Sequence, residues 1–136
     1  MGTVAQHVEQ WKHNRRFATT VDATFRDWQV TAVFYTALHA VDAALAHLGI
    51  AVSSHEQRNS FVKSNASLTP VRNAYLHLHR LSLVTRYDTE PDKWLPREFQ
   101  HVEELAAAWL RPIERHVKEL IGLKEAWPDQ SLTLAK

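Results

Sequence analysis

Arginine and histidine recur through the middle of this chain at spacings that place them together on helix faces. Arginine presents a planar fork of donors to phosphate or carboxylate, and histidine exchanges a proton near neutral pH. His39 and Asp42, three residues apart, share one face, and their spacing predicts a hydrogen bond that fixes the imidazole tautomer and raises its pKa. His55 and Arg58 repeat the spacing at a helix start, where unpaired backbone amides favour an anion. Further on, Arg72, His79 and Arg86 fall in one row of a helix, whereas Asn73, His77 and Arg80 form a separate polar row. Each grouping also fits a structural role. The first then completes a bundle layer, the second caps a helix and forms a surface ion pair, and the third is a solvated face.

The formal net charge of +1 gives no global attraction to nucleic acid, but the charge is unevenly spread. Between Val52 and Tyr87 the basic residues Arg58, Lys63, Arg72, Arg80 and Arg86 face Glu56 alone, whereas Asp88–Glu119 carries eight carboxylates against five basic residues. A basic middle of this kind attracts an anionic ligand locally. The absence of cysteine excludes disulfides, thiol nucleophiles and thiolate-held zinc, and it suits a cytoplasmic setting. Nine histidines invite a metal, yet no clean i,i+4 pair with a supporting carboxylate occurs, so neither metal nor cofactor is expected. No glycine-rich phosphate loop, His-Glu-x-x-His or nucleophile elbow is present.

The elements that must position these residues are helices. With three glycines, five prolines and no long alternating run, the 136 residues predict an all-α fold, an antiparallel bundle of four to five helices. A 45% apolar content suits a folded chain, read as one domain over 1–124 with a tail over 125–136 that is loosely held beyond Trp127-Pro128. Val4, Val8 and Trp11 mark a first helix near 3–18. The second, near 23–48, carries the stripe Phe34, Leu38, Val41, Leu45 and Leu48 and ends at Gly49. Around that helix runs a further stripe of Trp28, Ala32, Tyr35, His39, Asp42 and Ala46, suited to a groove or subunit contact. Ser53 with Glu56, and Ser54 with Gln57, offer capping boxes for a helix near 54–64. Thr69-Pro70 predicts a fourth helix over 70–87, and a last one spans Pro96 to Leu120, kinked or split by Pro112. Polar residues interrupt the apolar stretch from Trp28 to Ile50, so no membrane span is expected, and Met1-Gly2-Thr3-Val4 shows no signal peptide.

With the elements in place, the run from Asp27 to Leu45 resembles the long helix of HEPN-domain proteins, with its "W…FY.A.H…A.L" pattern. Ser54-His55-Glu56-Gln57-Arg58 is similar to the "sH..R" that follows in that family, and Tyr75, Leu78, Ser82 and Arg86-Tyr87 to its "Y..L…S…RY". The likeness covers about 27–88. It implies a helical bundle, commonly a homodimer, here pairing through the second and fourth helices.

The family is rich in RNases and in toxin or defence proteins, and other members bind nucleotides or act only as partners. Its nuclease members carry an arginine, a polar residue, three further residues and a histidine at the dimer interface, and they cleave RNA without metal. Arg72-Asn73-Ala74-Tyr75-Leu76-His77 fits that pattern, so the resemblance makes Arg72 and His77 the candidate catalytic pair. Arginine would clamp the scissile phosphate and histidine would move the proton. Residues five apart point about 140° away from each other on a regular helix, so such a site needs distortion or two subunits. His55, Arg58 and Arg86, with His39 and His79, form the candidate RNA- or nucleotide-binding set, joined by Tyr35 and Tyr87. The expectation is a dimeric RNA-binding or RNA-cleaving protein. The alternative is a non-catalytic module that binds a nucleotide or a partner protein such as a cognate antitoxin.

Overall fold

The computed structural model describes residues 2–93 and 95–125, and it is an all-α helical bundle with no strand among them. The expected Trp127-Pro128 and the rest of the tail lie outside the described residues. Glu125, at the tail's start, accepts an ion pair from Lys12 at 2.7 Å.

The first helix, α1 (Val4–Thr20), opens on a capping box. Thr3 Oγ1 accepts from the Gln6 amide at 3.1 Å, and Gln6 Oε1 accepts from the Thr3 amide at 2.9 Å. The next, α2 (Arg26–His47), ends as expected at Gly49, whose φ of +76° is the left-handed conformation that closes a helix. Fourteen of the 22 residues of α2 are buried. Its small residues Ala37, Ala40, Ala43 and Ala44 let it pack against α1 and later helices, so it occupies the centre rather than an edge. The Phe34 stripe lies in the core. Of the second stripe, Ala32 and Asp42 are buried, Tyr35, His39 and Ala46 are half-buried, and Trp28 is 57% exposed.

Ser54 caps α3 (His55–Ser64) by accepting from the Gln57 amide at 3.1 Å. The chain then tightens into a 3₁₀ turn over Ala66–Val71, capped by Asn65. That turn absorbs Thr69-Pro70, so α4 spans Arg72–Tyr87 and not 70–87. Pro70 has no amide to donate and fits a short turn as readily as a first helical position.

The single last helix expected from Pro96 is instead broken. A short α5 (Leu95–Glu98) is followed by non-helical residues at 99–101, then α6 (Val102–Leu105), a π turn over Ala106–Leu110, and α7 (Arg111–Ile121). The break is held from α2. Arg26 donates to the carbonyls of Phe99 at 3.4 Å and Gln100 at 3.3 Å, satisfying groups that a continuous helix would pair internally. Pro112 splits the helix by a different route from a kink. The Arg111 amide reaches back to the Ala106 carbonyl, and this wider turn removes the clash that proline would make in an unbroken α-helix.

Two polar contacts fix α7. Glu114, 1% exposed, accepts from Trp11 Nε1 at 2.8 Å and from Arg15 Nε at 2.9 Å, tying α1 to α7. Burial pushes the Glu114 carboxyl up, against the opposing pull of Arg15 and Trp11. His116 Nε2 donates to the Ser67 carbonyl at 2.6 Å and holds the 3₁₀ turn against the same helix.

Candidate functional site

The polar groups of α2, α3 and α4 meet around one buried ion pair. Arg58 of α3 donates from Nε to Asp42 Oδ1 at 2.6 Å and from Nη2 to Oδ2 at 3.1 Å. Both side chains are more than nine-tenths buried, at 9% and 7% exposed. A two-pronged contact of this kind compensates the desolvation of both charges. The Tyr75 hydroxyl is buried beside it without a hydrogen-bond partner, and burial pushes its pKa well above the ordinary value.

Outward from the ion pair lies a stack of rings. His55 and His79 face each other with centroids 5.1 Å apart and planes 24° from parallel, and Phe34 lies 5.2 Å from His79. Asn59 donates from Nδ2 to His79 Nδ1 at 3.0 Å, which leaves the neutral ring's proton on Nε2. That Nε2 and the Asn59 Oδ1 are both buried and have no partner. Burial lowers the pKa of His55 and His79, and the nearby Arg58 and Arg86 lower both further. Arg86 is exposed at the rim. Its Nε donates to the Ser82 carbonyl at 3.2 Å and its Nη1 to the Tyr35 hydroxyl at 3.3 Å, while Tyr87 lies beneath the guanidinium at 5.9 Å.

The fold thus gathers His55, Arg58, His79, Arg86 and Tyr35 into one region, as expected. Arg58 is a buried strut there and not a surface group. The expected His39–Asp42 hydrogen bond does not form, because Asp42 gives both oxygens to Arg58. His39 Nδ1 lies instead 3.5 Å from His7 Nδ1, with the rings stacked at 5.7 Å. Its pKa moves down and not up, since burial outweighs the opposing field of Asp42.

Arg72 and His77 turn to different neighbours. Arg72 donates to the Val62 carbonyl at 3.4 Å and to Thr69 Oγ1 at 3.5 Å, fastening α4 to the end of α3. His77 packs on Trp109 with centroids 4.1 Å apart, and its Nδ1 lies 3.0 Å from Arg80 Nη2. The separate row of His77 and Arg80 is therefore real. Burial, and then Arg80, lower the His77 pKa.

The sequence assigns no site role to His7 or Asn59, and marks Tyr75 only through the resemblance. His7 was legible in outline, since it lies one turn before Trp11 on the flank of the Val8 stripe. Asn59 carries no signal until α3 is laid on α4.

At the rim beyond Arg86 the surface is apolar. Trp28 of α2 and Leu83, Val84 and Tyr87 of α4 are 57%, 37%, 36% and 78% exposed, and Trp28 shares with Arg86 a cleft of about 160 Å³. No helix among the described residues is long and apolar enough to cross a membrane. Comparison with protein-family models, curated proteins and solved structures gave no significant match to this chain.

Proposed function

We propose that this chain is a HEPN-like homodimeric module that binds RNA or a nucleotide through a phosphate held by His55, His79 and Arg86. The observation that carries this reading is the stack of two imidazoles beside an exposed arginine, with the buried Nε2 of His79, a donor, lacking a partner. A phosphate arriving there favours the charged imidazoles and receives donors from His55, His79 and Arg86. Tyr87 and Trp28, exposed alongside, offer ring faces on which an unpaired base can stack. The same apolar rim of Trp28, Leu83, Val84 and Tyr87 supports pairing of two copies through α2 and α4.

Binding is favoured over cleavage by Arg72 and His77, because each of those residues is committed to a separate contact within one chain. The test is anisotropy of a labelled single-stranded RNA at low salt. Wild type is expected to bind, and His79→Ala combined with Arg86→Ala to weaken binding by about 3 kcal/mol, two charge-assisted hydrogen bonds. Unchanged affinity in that variant overturns the assignment. Running the same RNA on a gel with chelator present reads cleavage. Cutting that disappears in both Arg72→Ala and His77→Ala would restore the nuclease reading in place of binding alone.

A further inference from the structure

The packing of α1 on α2 brings a third ligating group, His7, to two that already share a face of α2. His7 stands on α1, and His39 and Asp42 on α2. One nitrogen of each ring and a carboxylate oxygen all lie within 4.8 Å of one another. The two Nδ1 atoms are 3.5 Å apart. Ligands on a tetrahedral ion with bonds of about 2.0–2.1 Å sit about 3.3–3.4 Å from each other, so the imidazole pair already spans one edge of such a site. We propose that His7, His39 and Asp42 bind a divalent transition ion of the zinc class between α1 and α2.

Two imidazoles and a carboxylate select Zn²⁺, Co²⁺ or Ni²⁺ over Mg²⁺ and Ca²⁺, which prefer oxygen. The other edge of His7 is closed by backbone. A Cβ on Gly2 would stand 2.9 Å from His7 Nε2, so the backbone at Gly2 lies close against the far edge of the ring. Asp42 is already oriented by Arg58, and each carboxylate oxygen keeps a lone pair for a metal after accepting one hydrogen bond. Ligating carboxylates are ordinarily held by hydrogen bonds of this kind. Arg58 also offsets the carboxylate's charge, which sets the affinity below that of a thiolate site. His7 and Asp42 line a cleft of about 370 Å³ beside Gly49 and Ile50. Three protein ligands therefore leave a coordination position open to that cleft, where water or a small anion fits. The site lies on the α1 side of the Asp42–Arg58 pair, apart from the His55–His79 stack, and does not depend on phosphate binding there.

The full chain, stripped with chelator, is titrated with Zn²⁺ by calorimetry and with Co²⁺ by visible absorption. One equivalent is expected, with the intense bands of four- or five-coordinate cobalt. His7→Ala and His39→Ala should each weaken binding at least about tenfold. His13→Ala, an exposed histidine of the same helix, should leave it unchanged. Histidine ring NMR of the wild type avoids any dependence on variant folding. The first equivalent of Zn²⁺ should move the signals of His7 and His39 and leave those of His13 and His47 in place. Lack of saturable one-to-one binding overturns the proposal. So does full affinity in both His7→Ala and His39→Ala, or a first equivalent that reports on other histidines.

Discussion

Asp42 and Arg58 show how far single residues could be read from the chain. Both were marked as polar residues on helix faces with something to bind. Asp42 was given the wrong partner, the nearby His39, whereas Arg58 does reach the expected His55, its Nη1 3.4 Å from Nδ1, but spends its stronger bonds on Asp42. Local spacing ranks i,i+3 neighbours first. The fold brought a guanidinium from 16 residues away, and its charge and two-pronged geometry prevail over a single imidazole contact. The consequence is thermodynamic. Arg58→Ala leaves a carboxylate buried without its counter-charge, which should destabilise the fold by about 3–5 kcal/mol in urea unfolding. The double variant Asp42→Leu with Arg58→Met should regain most of that loss, since an apolar pair carries no desolvation penalty. If the single variant unfolds at the wild-type midpoint, the pair contributes little and another contact holds α3 to α2.

Among the elements, α1, α2 and α3 were legible nearly to their ends, α1 from the spacing of Val4, Val8 and Trp11, and the others because Gly49 and Ser54 are strong stop and start signals. The C-terminal third was not. Nothing in the residues around Phe99 announces a break, because the donor that stabilises it, Arg26, belongs to α2. Proline at 112 was read as a disturbance, but whether a helix bends or inserts a π turn is decided by packing beyond the helix itself. The exposed ends of α2 and α4 carry the prediction for this scale. Trp28→Ala with Tyr87→Ala should shift the chain from dimer to monomer in light scattering after gel filtration. Helical content by circular dichroism should be unchanged, because neither side chain belongs to the core. A monomeric wild type, or a dimeric variant, would remove this surface from consideration as the interface.

For the molecule as a whole, half-buried histidines make stability depend on pH. Burial lowers the pKa of His39, His55, His77 and His79 from the ordinary value of 6.5. As pH falls below that value the unfolded chain takes up protons that the folded chain still refuses, so stability is full above it and is lost toward the lower folded pKa values. The melting temperature should accordingly drop between about pH 7.5 and pH 5.5, and the drop should shrink in His55→Gln with His79→Gln. A melting temperature flat across that range in wild type would mean these rings titrate alike in both states. The all-helical architecture was plain from the paucity of glycine and the helical periodicity. The assembly of the histidine region was not, since His55 and His79 meet only once α3 is laid on α4 against α2.

The contact between α1 and Glu114 also bears on the order in which the fold can complete itself. Trp11 and Glu114 are 103 residues apart along the chain, although α1 lies against its neighbour α2. On the ribosome α1 and α2 can zip together as soon as both have emerged. The indole of Trp11 and the guanidinium of Arg15 must wait until Glu114 has been made. Closing so long a loop adds an entropic cost that local helix pairing does not bear. A nascent chain should therefore hold a loosely docked α1–α2 hairpin until Glu114 has emerged, and gain its full protection from proteases only then.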